Sequence, residues 1–421
     1  MLFDLEECRK GSPAANSARY IRALALFVLA FAGPLSAQFS IDGYPVQVHG
    51  FFSQGFAYSN QNNYLTINTS QGSFAFTDAG LNASSQITDR FRVGAQAYVE
   101  NIGNLGHGHV TLDWALGDYR FTNWFGIRAG KVKTVLGLYN DTQDEEFLHT
   151  WALLPQSMYP LDLRETSISH IGADLYGNIS LHQGGNLSYT AYAGELPRDM
   201  SGGYNYGLQN EGLIARKISG SARGADLKWT TPLSGLLVGA SFLNGPLSAT
   251  TYEPLFGTTA KLNAFGDERT VFSGQYTIGN FKIEGEYSRE LLKVNLVNIE
   301  GPFGPPVIRT DFDRRSLYAA LAYRVSKHLE LGTYNSRFFP DANRSDFVAP
   351  GLVLPPPARH IFDQVVSARI DVTRFVDFKI EGHFIDGYGD PSSFRGFYPA
   401  DNPQGLKPTT NLLILRMGVN F

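Results

Sequence analysis

The chain has 421 residues, including 44 glycines, 30 phenylalanines and 21 tyrosines, but only one cysteine, Cys8. A formal charge of −4 without a basic run disfavours a nucleic-acid partner, and a single cysteine excludes an internal disulfide framework. Abundant glycine and aromatic residues are typical of many short β-strands separated by turns.

Residues 1–37 have the features of a cleaved secretory signal. Arg19 and Arg22 precede an apolar run at 23–32, and small residues at 36 and 37 fit a signal-peptidase site. The apolar run is shorter than the roughly 20 residues that a membrane-spanning helix needs. We therefore expect cleavage after Ala37 and a mature domain at 38–421.

From residue 46 onwards, segments of about ten residues alternate between apolar and polar positions. Sixteen of them begin near Val46, Phe74, Phe91, Val110, Phe125, Ile168, Leu187, Arg223, Leu236, Thr270, Phe281, Arg315, Leu329, Gln364, Phe375 and Asn411. Short turns and long connections follow each other alternately between the segments. A period of two indicates strands, and this length suits a tilted bilayer crossing. The pattern predicts an all-β fold: a transmembrane antiparallel β-barrel of about 16 strands, with short periplasmic turns and long external loops.

The two parities of these segments differ in chemistry. In the segment near Phe375, the residues of one parity are apolar, and those of the other are Asp377, Lys379, Glu381 and His383. One face suits hydrocarbon and the other suits water. The apolar parity repeatedly ends on an aromatic residue beside a short turn, which predicts an interfacial girdle. Its members are Phe91, Phe125, Trp229, Phe281, Tyr323, Phe375 and Phe421.

A barrel of sixteen strands is wide enough for an aqueous channel, whereas eight strands fill their interior with side chains. Ionisable residues on the polar parity are therefore expected to line a water-filled lumen. The basic residues expected at the pore wall are Arg92, Arg128, Arg369 and Arg416, with Lys131 at the root of the following loop.

The connection after the fifth segment, at about 134–167, is too rich in apolar and aromatic residues for a solvent-exposed loop. Within it, 143–154 has acidic residues where a first helical turn favours them, and Pro155 follows, which predicts a short helix. The residues leading into this loop are Gly130, Lys131, Gly137, Leu138, Asn140 and Asp141. They resemble the corresponding passage of sixteen-stranded bacterial porins, including phosphate-selective porins O and P. The resemblance implies a loop that folds inward and narrows the channel, and a trimer of barrels packed wall to wall.

An inward loop would place a net acidic charge opposite the basic wall. The charged loop residues are Asp141, Asp144, Glu145, Glu146, Asp162, Arg164 and Glu165. Fixed charges at a constriction bias which ions pass, so this composition predicts a weak cation preference. In the alternative arrangement, the loop lies over the mouth or against a neighbouring subunit, and its acids are simply solvated.

The chain ends in NLLILRMGVNF, which alternates strictly and finishes on Phe421. This ending resembles the closing strand of bacterial outer-membrane barrels, which the assembly machinery reads. The resemblance implies an outer-membrane location in a Gram-negative bacterium.

Three functions remain open. The favoured one is a passive diffusion porin for small hydrophilic solutes and ions. The alternatives are a porin selective for an anion, carboxylate or sugar, and a non-conducting sheath barrel that holds a partner protein. His170 and Asp174 share a parity, but no serine accompanies them, so no enzyme is predicted. No cofactor motif or metal-ligand cluster is present in the sequence, and neither a cofactor nor a metal is expected.

Overall fold

The computed structural model describes residues 37–41, 43–197, 200, 202–255, 257–300, 307–343, 347–349, 352–390 and 395–421. All of the expected signal sequence except Ala37 lies outside the described residues. Within them, no helix is long and apolar enough to cross a membrane.

The described residues form twenty β-strands and two short α-helices. The strands are β1 (Ala37–Ile41), β2 (Tyr44–Ser59), β3 (Phe76–Thr88), β4 (Phe91–Ile102), β5 (Val110–Thr122), β6 (Phe125–Lys133), β7 (Ser169–Ser180), β8 (Asn186–Glu195), β9 (Ile214–Thr230), β10 (Leu236–Asn244), β11 (Leu247–Glu253), β12 (Thr258–Ile278), β13 (Phe281–Glu300), β14 (Val307–Ser326), β15 (Leu329–Phe339), β16 (Phe347–Ala349), β17 (Leu352–Val353), β18 (Ile361–Asp371), β19 (Val376–Asp386) and β20 (Thr409–Asn420). The helices are α1 (Arg164–Ser167) and α2 (Gly203–Asn210). Single 3-10 turns lie at Thr69–Gln71, Asn140–Thr142, Glu146–Leu148, Leu161–Leu163, His182–Gly184, Pro356–Arg359 and Pro399–Asp401.

Sixteen strand positions among the described residues close into one antiparallel barrel. Each strand from β2 to β20 pairs with its neighbour along the chain, apart from the small β16–β17 hairpin. β10 and β11 share one position, because both pair with β9 and with β12. β2 then pairs with β20, where Phe51 lies opposite Asn420, and this contact closes the barrel. The predicted barrel of sixteen antiparallel strands is confirmed.

β1 extends the sheet beyond the barrel on the side of the short turns. It pairs with the first residues of β2, where Ala37 lies opposite Val48. The barrel is closed further along β2, where Gly50 and Phe421 exchange two backbone hydrogen bonds of 3.1 and 3.0 Å. The terminal phenylalanine therefore lies at the seam where the first and last barrel strands meet.

The two faces of the wall differ as their chemistry requires. On β19, Ile380 and Phe384 are exposed, whereas the side chains of Lys379 and Glu381 are completely buried. Because successive side chains of a strand point to opposite faces, the exposed apolar residues form the outer wall and the charged ones face the lumen. The predicted division into an apolar and a polar parity is confirmed here.

Aromatic residues mark the outer wall beside the short turns. The rings of Phe281 and Tyr323, on neighbouring strands, lie 4.5 Å apart, and both are exposed. The rings of Phe121 and Phe125 lie 5.2 Å apart across another short turn. Such a row has the form of the interfacial girdle of membrane barrels.

Loop residues fill the lumen on the side of the long connections. An apolar cluster there combines Tyr64, Leu105, Leu153 and Phe397, which come from four different connections, with wall residues such as Phe338. These loops therefore fold back into the barrel and pack against its inner wall.

Candidate functional site

The longest early connection, residues 134–168 between β6 and β7, lies inside the barrel and is called the inner loop below. Its two ends are tied together: the amide of Thr134 donates to the carbonyl of Ile168 at 2.9 Å. The side-chain amide of Asn140 donates to the carbonyls of Thr134 and Ser167 at 2.7 and 2.9 Å. The loop therefore leaves the wall at one point and enters the lumen as a compact unit.

On one side, the inner loop contacts β13 through three aromatic side chains. The hydroxyls of Tyr139 and Tyr159 donate to the carboxylates of Glu284 and Glu286, respectively. The indole nitrogen of Trp151 donates to Glu284 at 3.2 Å. Two wall carboxylates thus fix three large side chains of the loop.

On another side, basic residues of β18–β20 hold the loop by its carbonyl oxygens. Nζ of Lys379 donates to the carbonyl of Glu146 at 2.7 Å, and Nη1 of Arg369 donates to that of His149 at 2.7 Å. Nη1 of Arg416 donates to the carbonyl of Ala152, also at 2.7 Å. The carbonyl of Glu146 also accepts from the amide of His149 at 3.0 Å, whereas those of His149 and Ala152 depend on the two arginines.

The third side of the loop contacts β4–β6. Nε2 of Gln96 donates to Asp144 at 2.6 Å, and Nζ of Lys133 pairs with the same carboxylate at 2.8 Å. Arg164 pairs with Asp113 at 2.8 Å and lies over the ring of Tyr98 at 3.8 Å. With contacts on three sides, the inner loop acts as a brace across the lumen.

The helix expected at 143–154 is wrong, because this stretch contains a single 3-10 turn, Glu146–Leu148. A helix would pair its carbonyls with amides four residues later. Here the carbonyl of Glu146 accepts from the amide three residues later, that of His149, and from Lys379. Arg369 and Arg416 take the carbonyls of His149 and Ala152. Meanwhile Trp151 and Asp144 reach opposite sides of the wall, which one helical face could not do.

The acids of the inner loop differ in their exposure. Asp144, Glu146 and Asp162 are buried, whereas Asp141 and Glu145 are only half-buried. Glu165 is half-buried as a residue, but its Oε2 atom is enclosed and has no partner among the described residues. The expectation that all these acids face the channel is therefore wrong for the buried ones, which pack against the wall or another loop.

Burial and nearby cations together set the charge of the loop acids. Burial by itself raises the pKa of Asp144, but Lys133 and Arg164 outweigh it and bring the pKa below its usual value. Burial also raises the pKa of Glu146, but the charge of Lys379 outweighs it and brings this pKa below its usual value. Both acids are ionised at neutral pH, and each faces a basic partner that offsets its charge.

Asp162 and Glu165 behave differently. Burial raises the pKa of Asp162 to about 6, although the hydroxyl of Tyr398 and the amide of Gly396 donate to its carboxylate at 2.7 and 2.6 Å. Burial and the neighbouring Glu100 raise the pKa of Glu165 well above its usual value. Glu165 therefore carries less charge at neutral pH than the composition of the loop implies, whereas Asp162 is still mainly ionised there.

The basic wall residues fall into three groups. Arg92 and Arg128 lie open to the lumen and share Asp118, at 3.4 and 3.8 Å. Arg369 and Arg416 lie beneath the inner loop and bind its backbone. Lys131 is not on the lumen wall. It lies opposite the exposed Ile171 of β7, and residues directly opposite each other share a face.

The most important residues that the sequence did not single out as site residues are Lys379, Glu284, Glu286 and Gln96. All lie on the polar parity, which is the only signal the sequence offers for them. Which polar residues meet the loop depends on the path of a segment without regular structure, and no spacing rule predicts that path.

In three ion pairs on the short-turn side of the loop, the basic side chain is more exposed than the acid it pairs with, although for Arg369 and Asp371 the exposed fractions are 15% and 21%. The exposed fraction is 51% for Arg92 against 9% for Asp118, and 21% for Lys228 against 5% for Asp226. It is 29% for Lys282 against 2% for Glu284. Near the loop the order reverses, with 16% for Lys133 against 29% for Glu145. Water on the short-turn side therefore meets mainly positive charge.

No protein-family model matches the chain, and no curated protein sequence matches it. Solved structures do resemble it. OmpT of Vibrio cholerae superposes with a TM-score of 0.55 at 12% identity, covering 91% of this chain and 100% of that one. OmpF of Salmonella typhi, solved with daunomycin, gives 0.53 at 10% identity, covering 91% and 100%. An anion-selective porin from Comamonas acidovorans gives 0.52 at 10% identity, covering 90% and 100%. At these identities the likeness concerns architecture alone. The chain thus has the fold of outer-membrane porins, a closed barrel of sixteen antiparallel strands.

Proposed function

We propose that the protein is a passive diffusion channel for small hydrophilic solutes and ions in a bacterial outer membrane. The observation that carries this proposal is the inner loop, which crosses the lumen and is fastened to the wall on three sides. A loop held by ionic contacts at mid-lumen narrows a channel, and it leaves little room for a large occupant.

The outer wall supports a bilayer environment and an assembly of several barrels. Its exposed apolar residues and aromatic row suit lipid. One sector of β3–β7 presents small residues instead: Ala83 lies opposite Ala95, and Ala129 lies opposite both Gly117 and Ala173. A flat surface of this kind permits wall-to-wall packing of identical barrels, and we propose a homotrimer. Phe421 at the seam is the proposed signal for the assembly machinery.

We also propose a weak anion preference. The cation preference expected from the sequence depended on loop acids that face the channel, but Asp144 and Glu146 are buried against cations. The charges open to water on the short-turn side are chiefly basic, among them Arg92, Arg128 and Lys228. Fixed charges along a pore favour ions of the opposite sign.

The alternatives have less support. A sheath barrel needs a lumen free for its partner, whereas here four connections fold into the lumen. For an enzyme, His170 and Asp174 are hydrogen-bonded at 2.9 Å, but both side chains are buried and the ring of Tyr192 stacks on the histidine. No substrate could reach that pair, so its role is to stabilise the wall.

Planar-bilayer recordings of the purified protein test the proposal. We expect stepwise conductance, a larger step after deletion of 135–167, and a reversal potential in a salt gradient that favours chloride. Arg337→Gln, on the outer face of β15, is the matched control and should leave all three unchanged. A folded, heat-modifiable barrel that conducts nothing would refute the channel.

A further inference from the structure

We propose that a small cavity between the inner loop and the wall at β9–β12 binds a short-chain monocarboxylate. This inference rests on the proposed channel function and names a class of solute for it. The cavity lies on the side of the long loops, so a solute entering from outside would reach it before the narrowest part.

Three arginines converge at the charged end of this cavity. Arg269, Arg314 and Arg395 approach the single carboxylate of Glu290, at 3.1, 3.0 and 3.7 Å. Arg269 and Arg395 also line the cavity, together with Asp267. The three guanidinium groups face the carboxylates of Glu290 and Asp267, and Asp162 also lies close enough to interact with Arg395. What this cluster offers an anion is therefore its unpaired guanidinium edges rather than a net positive charge.

The guanidinium groups of these arginines are only partly hydrogen-bonded within the protein. The Nε atoms of Arg269, Arg314 and Arg395 are all buried and have no hydrogen-bond partner in the part of the chain that the structure describes. The side chain of Arg395 is 94% buried, its exposed fraction being 6%. Leaving a buried charged donor unpaired costs free energy. An anion that accepts from these edges removes that cost, and the Nε–Nη edge of a guanidinium matches a carboxylate.

The rest of the lining indicates what kind of anion fits. Leu163 of the inner loop and Leu243 and Leu247 of the wall supply an apolar surface beside the arginines. An inorganic anion gains nothing from such a surface, whereas an alkyl chain is stabilised by it. Asp267 in the same lining repels a second negative charge. The cavity therefore suits one carboxylate with a short apolar tail.

The size of the cavity limits the length of the tail. Its volume is about 80 Å³, roughly half of an apolar cavity that holds benzene. Acids of about two or three carbons match that space, because butyrate has as many non-hydrogen atoms as benzene. Propionate and acetate are therefore the probes of choice, and propionamide is a neutral analogue of the same shape as propionate.

Liposome swelling with the full-length mature protein measures the preference. We expect propionate to enter about tenfold faster than propionamide at low concentration and to saturate, because one charged hydrogen-bonding partner changes affinity by about that factor. Arg395→Gln should bring the two rates close together and abolish saturation. Arg337→Gln, which removes an arginine from the outer face, should keep the wild-type ratio.

A second variant keeps the test valid if Arg395→Gln disturbs folding. Ala222 is buried in the cavity lining, and Ala222→Leu would fill the tail region while leaving every arginine in place. It should lower propionate entry several-fold and leave acetate entry unchanged. Equal loss for acetate and propionate would contradict the assignment of the tail region.

Titration calorimetry of the detergent-solubilised protein separates this inference from the proposed function. Saturable heat with propionate but none with propionamide supports the site, even if the barrel proves not to conduct. A barrel that conducts chloride, yet shows neither saturable propionate heat nor faster propionate entry, overturns the site and leaves the channel standing.

Discussion

Replacing Lys379 by methionine should release the inner loop without unfolding the barrel. Nζ of Lys379 pairs with the carboxylate of Glu146 and donates to the carbonyls of Glu146 and Trp151 at 2.7 and 3.3 Å. The lysine side chain is fully buried, and methionine keeps much of its volume while removing the charge. The substitution leaves Glu146 buried without its main partner.

The cost of this substitution can be worked out from those contacts. Breaking a buried ion pair by removing one partner costs about 3–5 kcal/mol, and each lost carbonyl hydrogen bond adds about 1 kcal/mol. Since Nζ takes no part in the strand ladders, this loss of about 5 kcal/mol or more falls on the docking of the loop. We expect a larger mean conductance with rapid flicker, while heat-modifiability on gels stays as in the wild type.

The double variant Lys379→Met with Glu146→Gln provides the decisive comparison. It removes both charges, so the loop should dock better than in the single lysine variant and the flicker should decrease. Lys407→Met, which alters an exposed lysine of a long loop, serves as the control. If the lysine variant conducts like the wild type, or if the double variant flickers as much as the single one, the reasoning about the brace is refuted.

Three further predictions follow from the charges of the lumen. Asp144→Asn should loosen the docking of the loop by about 3 kcal/mol and cause flicker, because Lys133 and Arg164 lose their shared buried partner. Asp141→Asn, at a half-exposed acid, should shift the reversal potential without flicker. Flicker in both variants would contradict the difference in burial. Burial raises the pKa of Asp162 from 3.8 to about 6, although its hydrogen bonds from Tyr398 and Gly396 favour the ionised form. The buried arrangement of Asp162 is therefore most stable below pH 4 and loses about 3 kcal/mol as pH rises from 4 through 6. Flicker should increase over that range and lose its pH dependence in Asp162→Asn. Arg92→Gln should reduce the chloride preference in reversal-potential measurements, whereas an unchanged potential would show that the short-turn side does not set selectivity.

The barrel itself could be predicted from the sequence because its rules are local. A strand in a membrane wall must alternate between lipid and lumen at every second residue, as β19 does with Ile380 and Phe384 outside and Lys379 and Glu381 inside. Short turns limit each strand to pairing with its neighbour along the chain. Sixteen segments with this rhythm therefore determined the strand count, the order of pairing and most of the lumenal residues, although Lys131 proved to lie on the outer face.

The partners inside the lumen could not be predicted in this way. Asp144 and Asp141 are three residues apart and have the same side chain, yet one is buried between Lys133 and Arg164 while the other is half-exposed. The expected helix at 143–154 is absent because distant arginines and a lysine bind its carbonyls. Contacts of this kind join residues more than 200 positions apart.

The sequence by itself determined that the chain forms a sixteen-stranded barrel and which parity of each strand faces inward, because most charges fall on one parity and lipid excludes them from the other. Only the tertiary structure decided which of those charges are neutralised and which meet water. That outcome depends on how the irregular inner loop packs across the lumen, where burial and ion pairing compete over distances that no local pattern encodes.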